Sequence, residues 1–166
     1  LWVKDGVNTL DLTSWTVATA FIILIVNNDP ALGGVPADSG IWTHNAASQN
    51  NITHHPYSDG IVYESFLTTA RKTVGNLTPS LAALHLYCIR SGINTYKVLL
   101  NGAEVFTTET NTVNFGNDAI YVGLSKKDTS SYYLDGSLCE LVIYDALLND
   151  TDRQAVEDYL MTRWGL

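Results

Sequence analysis

The side chains in this chain that could do chemistry are isolated acids, four histidines and a loop rich in aromatic and amide residues. Retaining hydrolysis of a glycosidic bond needs two carboxylates about 5–5.5 Å apart. On a β-strand that requires acids at i and i+2 or i+4, because alternate side chains share a face. In Cys139-Glu140-Leu141-Val142-Ile143-Tyr144, Glu140 has no acid at 142 or 144, and Glu64 is likewise alone in its strand-like run. Glu140 therefore reads as a hydrogen-bonding or edge residue, and no catalytic residue is assigned. His54 and His55 are adjacent, so on an extended chain they point to opposite faces and do not converge on one ion. His44 and His85 stand at no ligand-like spacing from them, no Ser-His-Asp arrangement emerges, and no metal site is assigned. The loop histidines read as facing solvent.

Recognition of a ligand or partner has better material. Sugar binding uses exposed aromatic faces together with amide, carboxylate and imidazole groups. The segment 27–60 holds Trp42, His44, Asn45, His54, His55, Tyr57 and Asp59, and Tyr132-Tyr133 adds a second aromatic spot. The competing reading is that Trp42 and one of the tyrosines pack into the core while the polar residues solvate a loop. A protein interface would use the same residues.

Positioning these groups falls to strands. Residues 16–26 (TVATAFIILIV) are β-branched and apolar on both alternating faces, as in a strand covered on both sides. Turn residues then dominate to Gly60, with one short strand around 41–44, making 27–60 a long irregular excursion of the kind that often carries function. Strand patterns follow at 61–66, 71–74, 83–90, 95–100, 103–108, 119–124 and 132–144, the last with a turn at Asp135-Gly136. Asn101-Gly102 supplies the two positive φ angles of a type I′ hairpin turn. The period changes after Asn149. Ala155 and Tyr159, with Val156, Leu160 and Trp164, fall at i, i+4 spacing over 152–163 and predict a docked helix. Thr151 with Gln154 has the capping-box pattern, and Gly165 supplies the stop.

Composition agrees with an all-β chain of one domain spanning 1–166. Charged residues are only 16% of 166 and apolar residues 46%, with 12 glycines. The formal net charge of −8, from 17 acids against 9 lysines and arginines, repels a phosphate backbone, so nucleic acid is not an expected partner. The longest apolar run, 17–26, is too short to span a bilayer as a helix. Cys88 and Cys139 allow one disulfide, but their apolar strand-like settings favour two free thiols. A leucine at position 1 points to a processed product or part of a longer protein.

Several segments together resemble the laminin-G-like, concanavalin-A-like jelly-roll superfamily. Leu10-Asp11-Leu12-Thr13-Ser14-Trp15-Thr16-Val17 is similar to that family's approach to its first long strand. Tyr96-Lys97-Val98-Leu99-Leu100-Asn101-Gly102 is similar to its central hairpin. Residues 136–148 and 152–166 resemble its final strand and closing helix. Arg71-Lys72-Thr73-Val74-Gly75 further resembles versions in phage tail and other virion-surface proteins. The resemblance implies a two-sheet antiparallel jelly-roll sandwich with a short C-terminal helix. It also implies an extracellular or virion-surface setting, and a module that recognises a glycan or receptor without catalysis. The alternatives are a structural or decoration module contacting neighbouring subunits and, more remotely, a glycoside hydrolase, whose E-x-D-x-E strand pattern is missing here. No cofactor is expected. Calcium, which many lectin-like jelly rolls bind, would have to use oxygens of Asn27, Asn28, Asp29 and Asp38, residues that also suit plain turns.

Overall fold

The computed structural model describes residues 9–10, 14–29, 39–43, 53–113, 120–124 and 133–166. Their strands are β1 (Thr9–Leu10), β2 (Ala18–Val26), β3 (Trp42–Thr43), β4 (Val62–Glu64), β5 (Lys72–Gly75), β6 (His85–Gly92), β7 (Thr95–Leu100), β8 (Ala103–Thr108), β9 (Ile120–Val122) and β10 (Gly136–Tyr144), followed by helix α1 (Asp150–Trp164). A five-stranded antiparallel sheet runs in the order β10-β2-β6-β7-β8, and β1-β9-β3 and β4-β5 form smaller antiparallel sheets. Among the described residues this is the all-β sandwich with a short C-terminal helix that the resemblance implies.

The doubly apolar pattern of β2 has a direct structural cause. Ala18, Ala20, Ile22, Leu24 and Val26 enter a core shared with Ile41 and Trp42, Val62 of β4 and Ile120 of β9. Phe21 and Ile23 on the other face join Leu86, Cys88, Leu99 and Leu160 in a second core under α1. The five-stranded sheet is therefore covered on both faces, by the small sheets inside and by the helix outside. Pairing of β2 with β6 and β10 places it second in the sheet, where both edges are satisfied.

Local signals act where expected. Asn101 (φ 48°) and Gly102 (φ 79°) turn β7 into β8. Gly136 opens β10 rather than sitting in the turn expected at Asp135-Gly136, and close approach requires it, since a Cβ there would lie 2.1 Å from the Ile25 carbonyl oxygen. Cys88 and Cys139 are both free.

The helix departs from its sequence reading in two ways. Its N-cap is Asn149, whose Oδ1 accepts the Asp152 amide at 2.9 Å, so the cap lies two residues before Thr151. Its buried stripe is Arg153, Glu157 and Leu160, with Val156 and Trp164 packed beside them, while Ala155 and Tyr159 face solvent. Arg153 Nη1 donates to Glu157 Oε2 one turn away, so two charges go inward as a pair. Leu160, 1% exposed, adds roughly 1.5–3 kcal/mol of apolar burial. At the far end Glu140 Oε2 accepts Trp164 Nε1 at 2.7 Å and lies 3.1 Å from Arg163 Nε, tying the helix to β10.

Candidate functional site

The segment 53–60 runs back along β4. His54 exchanges both backbone hydrogen bonds with Tyr63, at 2.8 and 3.0 Å. The chain then reverses between Tyr57 and Ile61: Tyr57 N donates to Ile61 O, Gly60 takes φ 82°, and Asp59 Oδ1 accepts the Ile61 amide at 2.9 Å. This is an Asx-type turn, the local chemistry an Asp two residues before a free N–H supplies.

Strand alternation sorts the β4 side chains. Val62 and Glu64 are fully buried, so Tyr63 between them points outward and is half-buried. Around Tyr63 a small aromatic ledge forms. The Tyr57 ring lies 6.0 Å away at an interplanar angle of 81°, and His54 packs against Tyr57 at 4.5 Å. Asp59 Oδ2 accepts the Tyr63 hydroxyl at 3.4 Å, and the Arg71 guanidinium stacks over the Tyr63 ring at 4.3 Å. Tyr57 is half-buried, whereas Asp59 and Arg71 are exposed. Burial first, then the Arg71 charge, lowers the His54 pKa from 6.5 to about 4, so its imidazole is neutral at neutral pH. The ledge thus combines ring faces, a carboxylate acceptor and a guanidinium donor, with the buried neutral imidazole of His54 packed against Tyr57.

The remaining candidates go elsewhere. Trp42 is 1% exposed, tilts against Phe66 at 4.6 Å and donates Nε1–H to Glu64 Oε1 at 2.8 Å. Its ring faces are spent on the core, which corrects its reading as an exposed contact. The solvent-facing reading of the histidines is corrected too, because His54 is 3% exposed and His55 0%. The two do point to opposite sides. His55 turns inward, stacking on His85 with their Nε2 atoms 3.0 Å apart. His85 Nδ1 must donate to the Ala83 carbonyl at 2.8 Å, so its Nε2 accepts and His55 Nε2 carries the proton. Burial holds both imidazoles below their ordinary pKa. His44, Asn45 and Tyr132 lie outside the described residues, whereas Tyr133 is 60% exposed.

Glu64 is a strongly perturbed carboxyl. Its Oε1 accepts from Trp42 and from the Ser65 and Phe66 amides, each at 2.8 Å. Its Oε2 reaches no hydrogen-bonding geometry, although the Tyr87 and Tyr96 hydroxyls are near enough to interact electrostatically. Burial outweighs the donors and raises its pKa from 4.5 to about 7. Fully enclosed, it is a core group out of reach of a substrate. Three of the residues weighed for calcium have protein partners, of which Asp29 alone is shown engaged through a side-chain oxygen. Asp29 accepts from Ser80 Oγ and the Leu81 amide, while Asn27 and Asn28 donate their side-chain amides to Asp135; Asp38 lies outside the described residues.

Tyr63 and Arg71 were not among the sequence candidates. Alternation between Val62 and Glu64 signals that Tyr63 faces out, but nothing local shows that Arg71 stacks upon it.

No family model matches the chain, and no curated protein matches it. Solved structures do resemble it. The Ruminococcus gnavus IT-sialidase CBM40 bound to α2,6-sialyllactose aligns with a TM-score of 0.62 and 15% identity over 91% of this chain and 93% of that one. Domain 4 of AbnA, a GH43 extracellular arabinanase from Geobacillus stearothermophilus in complex with arabinotriose, aligns at 0.59 and 12% identity over 88% and 68%. A SAP-like pentraxin from Limulus polyphemus aligns at 0.58 and 13% identity over 86% and 70%. At such identities the likeness establishes the lectin-like β-sandwich fold. Among the described residues no helix is long and apolar enough to cross a membrane.

Proposed function

We propose that residues 1–166 form a single non-catalytic carbohydrate-recognition module whose contact surface is the ledge of Tyr57, Asp59, Tyr63 and Arg71. The observation that carries this reading is the ledge itself: two outward tyrosines braced by a carboxylate and a guanidinium. Sugar rings present C–H faces that suit aromatic rings and hydroxyls that suit charged planar groups. Two of the similar structures, the CBM40 and the arabinanase domain, hold oligosaccharides, which supports a glycan as the ligand class. A bacterial-surface or virion-surface setting fits such a module. Glu64 is enclosed and Glu140 is engaged by the helix, which argues against a hydrolytic role for either.

A glycan array probed with the chain tests the reading. We expect binding to a restricted set of glycans, weakened at least about tenfold by Tyr57→Ala and by Tyr63→Ala at unchanged thermal midpoint. Tenfold corresponds to about 1.4 kcal/mol. Silence across the array removes the carbohydrate reading. In that case ordered contacts of the same ledge with neighbouring subunits in an assembled particle would favour the structural role.

A further inference from the structure

Arg71 is exposed, yet among the described residues it has neither an ion pair nor a hydrogen bond, only the stack on Tyr63. That is unusual in a chain where acids outnumber lysines and arginines 17 to 9. Arg90, Lys97, Arg153 and Arg163 all have a carboxylate within 4.0 Å. Lys72, the next residue on β5, is half-buried with Nζ 5.7 Å from the Tyr96 ring, so it turns away from the ledge. Arg71 is therefore the cation of this surface among the described residues. Its guanidinium lies over the Tyr63 ring while its N–H groups stay unspent among the described residues. A planar fork of donors matches a carboxylate or sulfate, which it can engage through two parallel hydrogen bonds. Asp59 does not neutralise it, since the two make no ion pair and its carboxylate is engaged by the Ile61 amide and the Tyr63 hydroxyl.

We infer that the ligand of the ledge is an acidic glycan whose oxyanion substituent, carboxylate or sulfate, is received by the Arg71 guanidinium. The inference rests on the carbohydrate reading and narrows its ligand class. Uncharged sugar surface lies against Tyr57, and the anionic group sets orientation and discrimination. The negative charge of Asp59 weakens that pull without cancelling it.

Matched pairs of probes separate the inference from the reading beneath it. Binding of the chain is measured by calorimetry for sialyllactose against lactose (the carboxylate arm) and for lactose 6′-sulfate against lactose (the sulfate arm). The inference expects at least one acidic member to bind about tenfold or more tighter than lactose. It also expects that preference to fall as salt rises, because the attraction is screened at an exposed site. Arg71→Gln should bring the ratio close to one, Arg71→Lys should restore only part of it, and Asp59→Asn should widen it. Comparable binding of acidic and neutral members, or a preference that survives Arg71→Gln, overturns the inference and leaves the carbohydrate reading standing. Silence toward all of these probes, with the chain folded, overturns the inference. If the array is silent as well, the carbohydrate reading falls with it.

Discussion

On the inner face of the five-stranded sheet a carboxylate, Glu64, is buried with no cation among its hydrogen-bond partners; on the outer face Glu157 is buried against Arg153. Both acids are 2% exposed or less, and in both burial pushes the pKa upward. The difference lies in how the charge is handled. Inside, three N–H donors converge on one oxygen, and burial raises the carboxyl pKa to about 7, so it is partly protonated at neutral pH. Outside, a guanidinium one helical turn away compensates, and the pair lets a polar helix dock on an apolar sheet. A buried carboxylate is thus tolerated either by partial neutralisation or by pairing, and the two solutions fail differently.

The largest effect should come from breaking the pair. Glu157→Ala leaves the Arg153 charge buried and is expected to cost about 3–5 kcal/mol in denaturant unfolding, whereas the double change Arg153→Met with Glu157→Leu should recover most of that or exceed it. A double variant as unstable as the single one would mean that the pair contributes more than its own compensation.

Smaller is the cost of disturbing the inner carboxylate. Trp42→Phe keeps a ring against Phe66 but removes the Nε1–H donor, and should cost about 1–3 kcal/mol. Loss of glycan binding with unchanged stability in that variant would contradict the core placement of Trp42.

The pH dependence separates the two faces further. The folded chain holds the His54 pKa near 4 and those of His55 and His85 below 6.5, so as pH falls below 6.5 the unfolded state takes up protons that the folded state refuses, and stability drops. Glu64 works in the opposite sense: its stabilisation is complete below 4.5 and is lost as pH rises through about 7. Between 4.5 and 6.5 three imidazoles oppose two carboxyls, Glu64 and Glu157, so net acid destabilisation is expected. Glu64→Gln should steepen it by removing its share of the opposing slope. Unfolding free energies across pH 4–8 measure both slopes, and an unchanged acid limb in the variant would reject the assignment.

The smallest effect belongs to the helix cap. Asn149→Ala should cost about 1 kcal/mol, while Thr151→Ala should stay within about 0.5 kcal/mol, a contrast that thermal melts can resolve.

Much of the scaffold was legible because its causes are local. Asn101-Gly102 turns where positive φ is needed, β2 reads as doubly covered because it is, and Leu160 and Trp164 fall on the docked face. The candidate site was legible only in part. Tyr57 and Asp59 lie on the ledge, but Trp42 and His55 belong to the core, and Tyr63 and Arg71 went unread. Burial of a polar side chain depends on a partner that sequence spacing does not disclose. Trp42 meets Glu64 22 residues away, His55 meets His85 30 residues away, and Glu140 meets Trp164 24 residues away.

The sequence by itself determined where strands, hairpins and the helix run, and that lone acids offer no glycosidase pair. Backbone φ preference and side-chain period act within a few residues, so they survive without knowledge of the fold. Only the tertiary structure decided which polar groups are enclosed and which remain for a ligand. Desolvation and hydrogen-bond complementarity are settled between segments far apart in the chain. They turned Trp42 inward onto Glu64 and left the Arg71 guanidinium outside, over the Tyr63 ring.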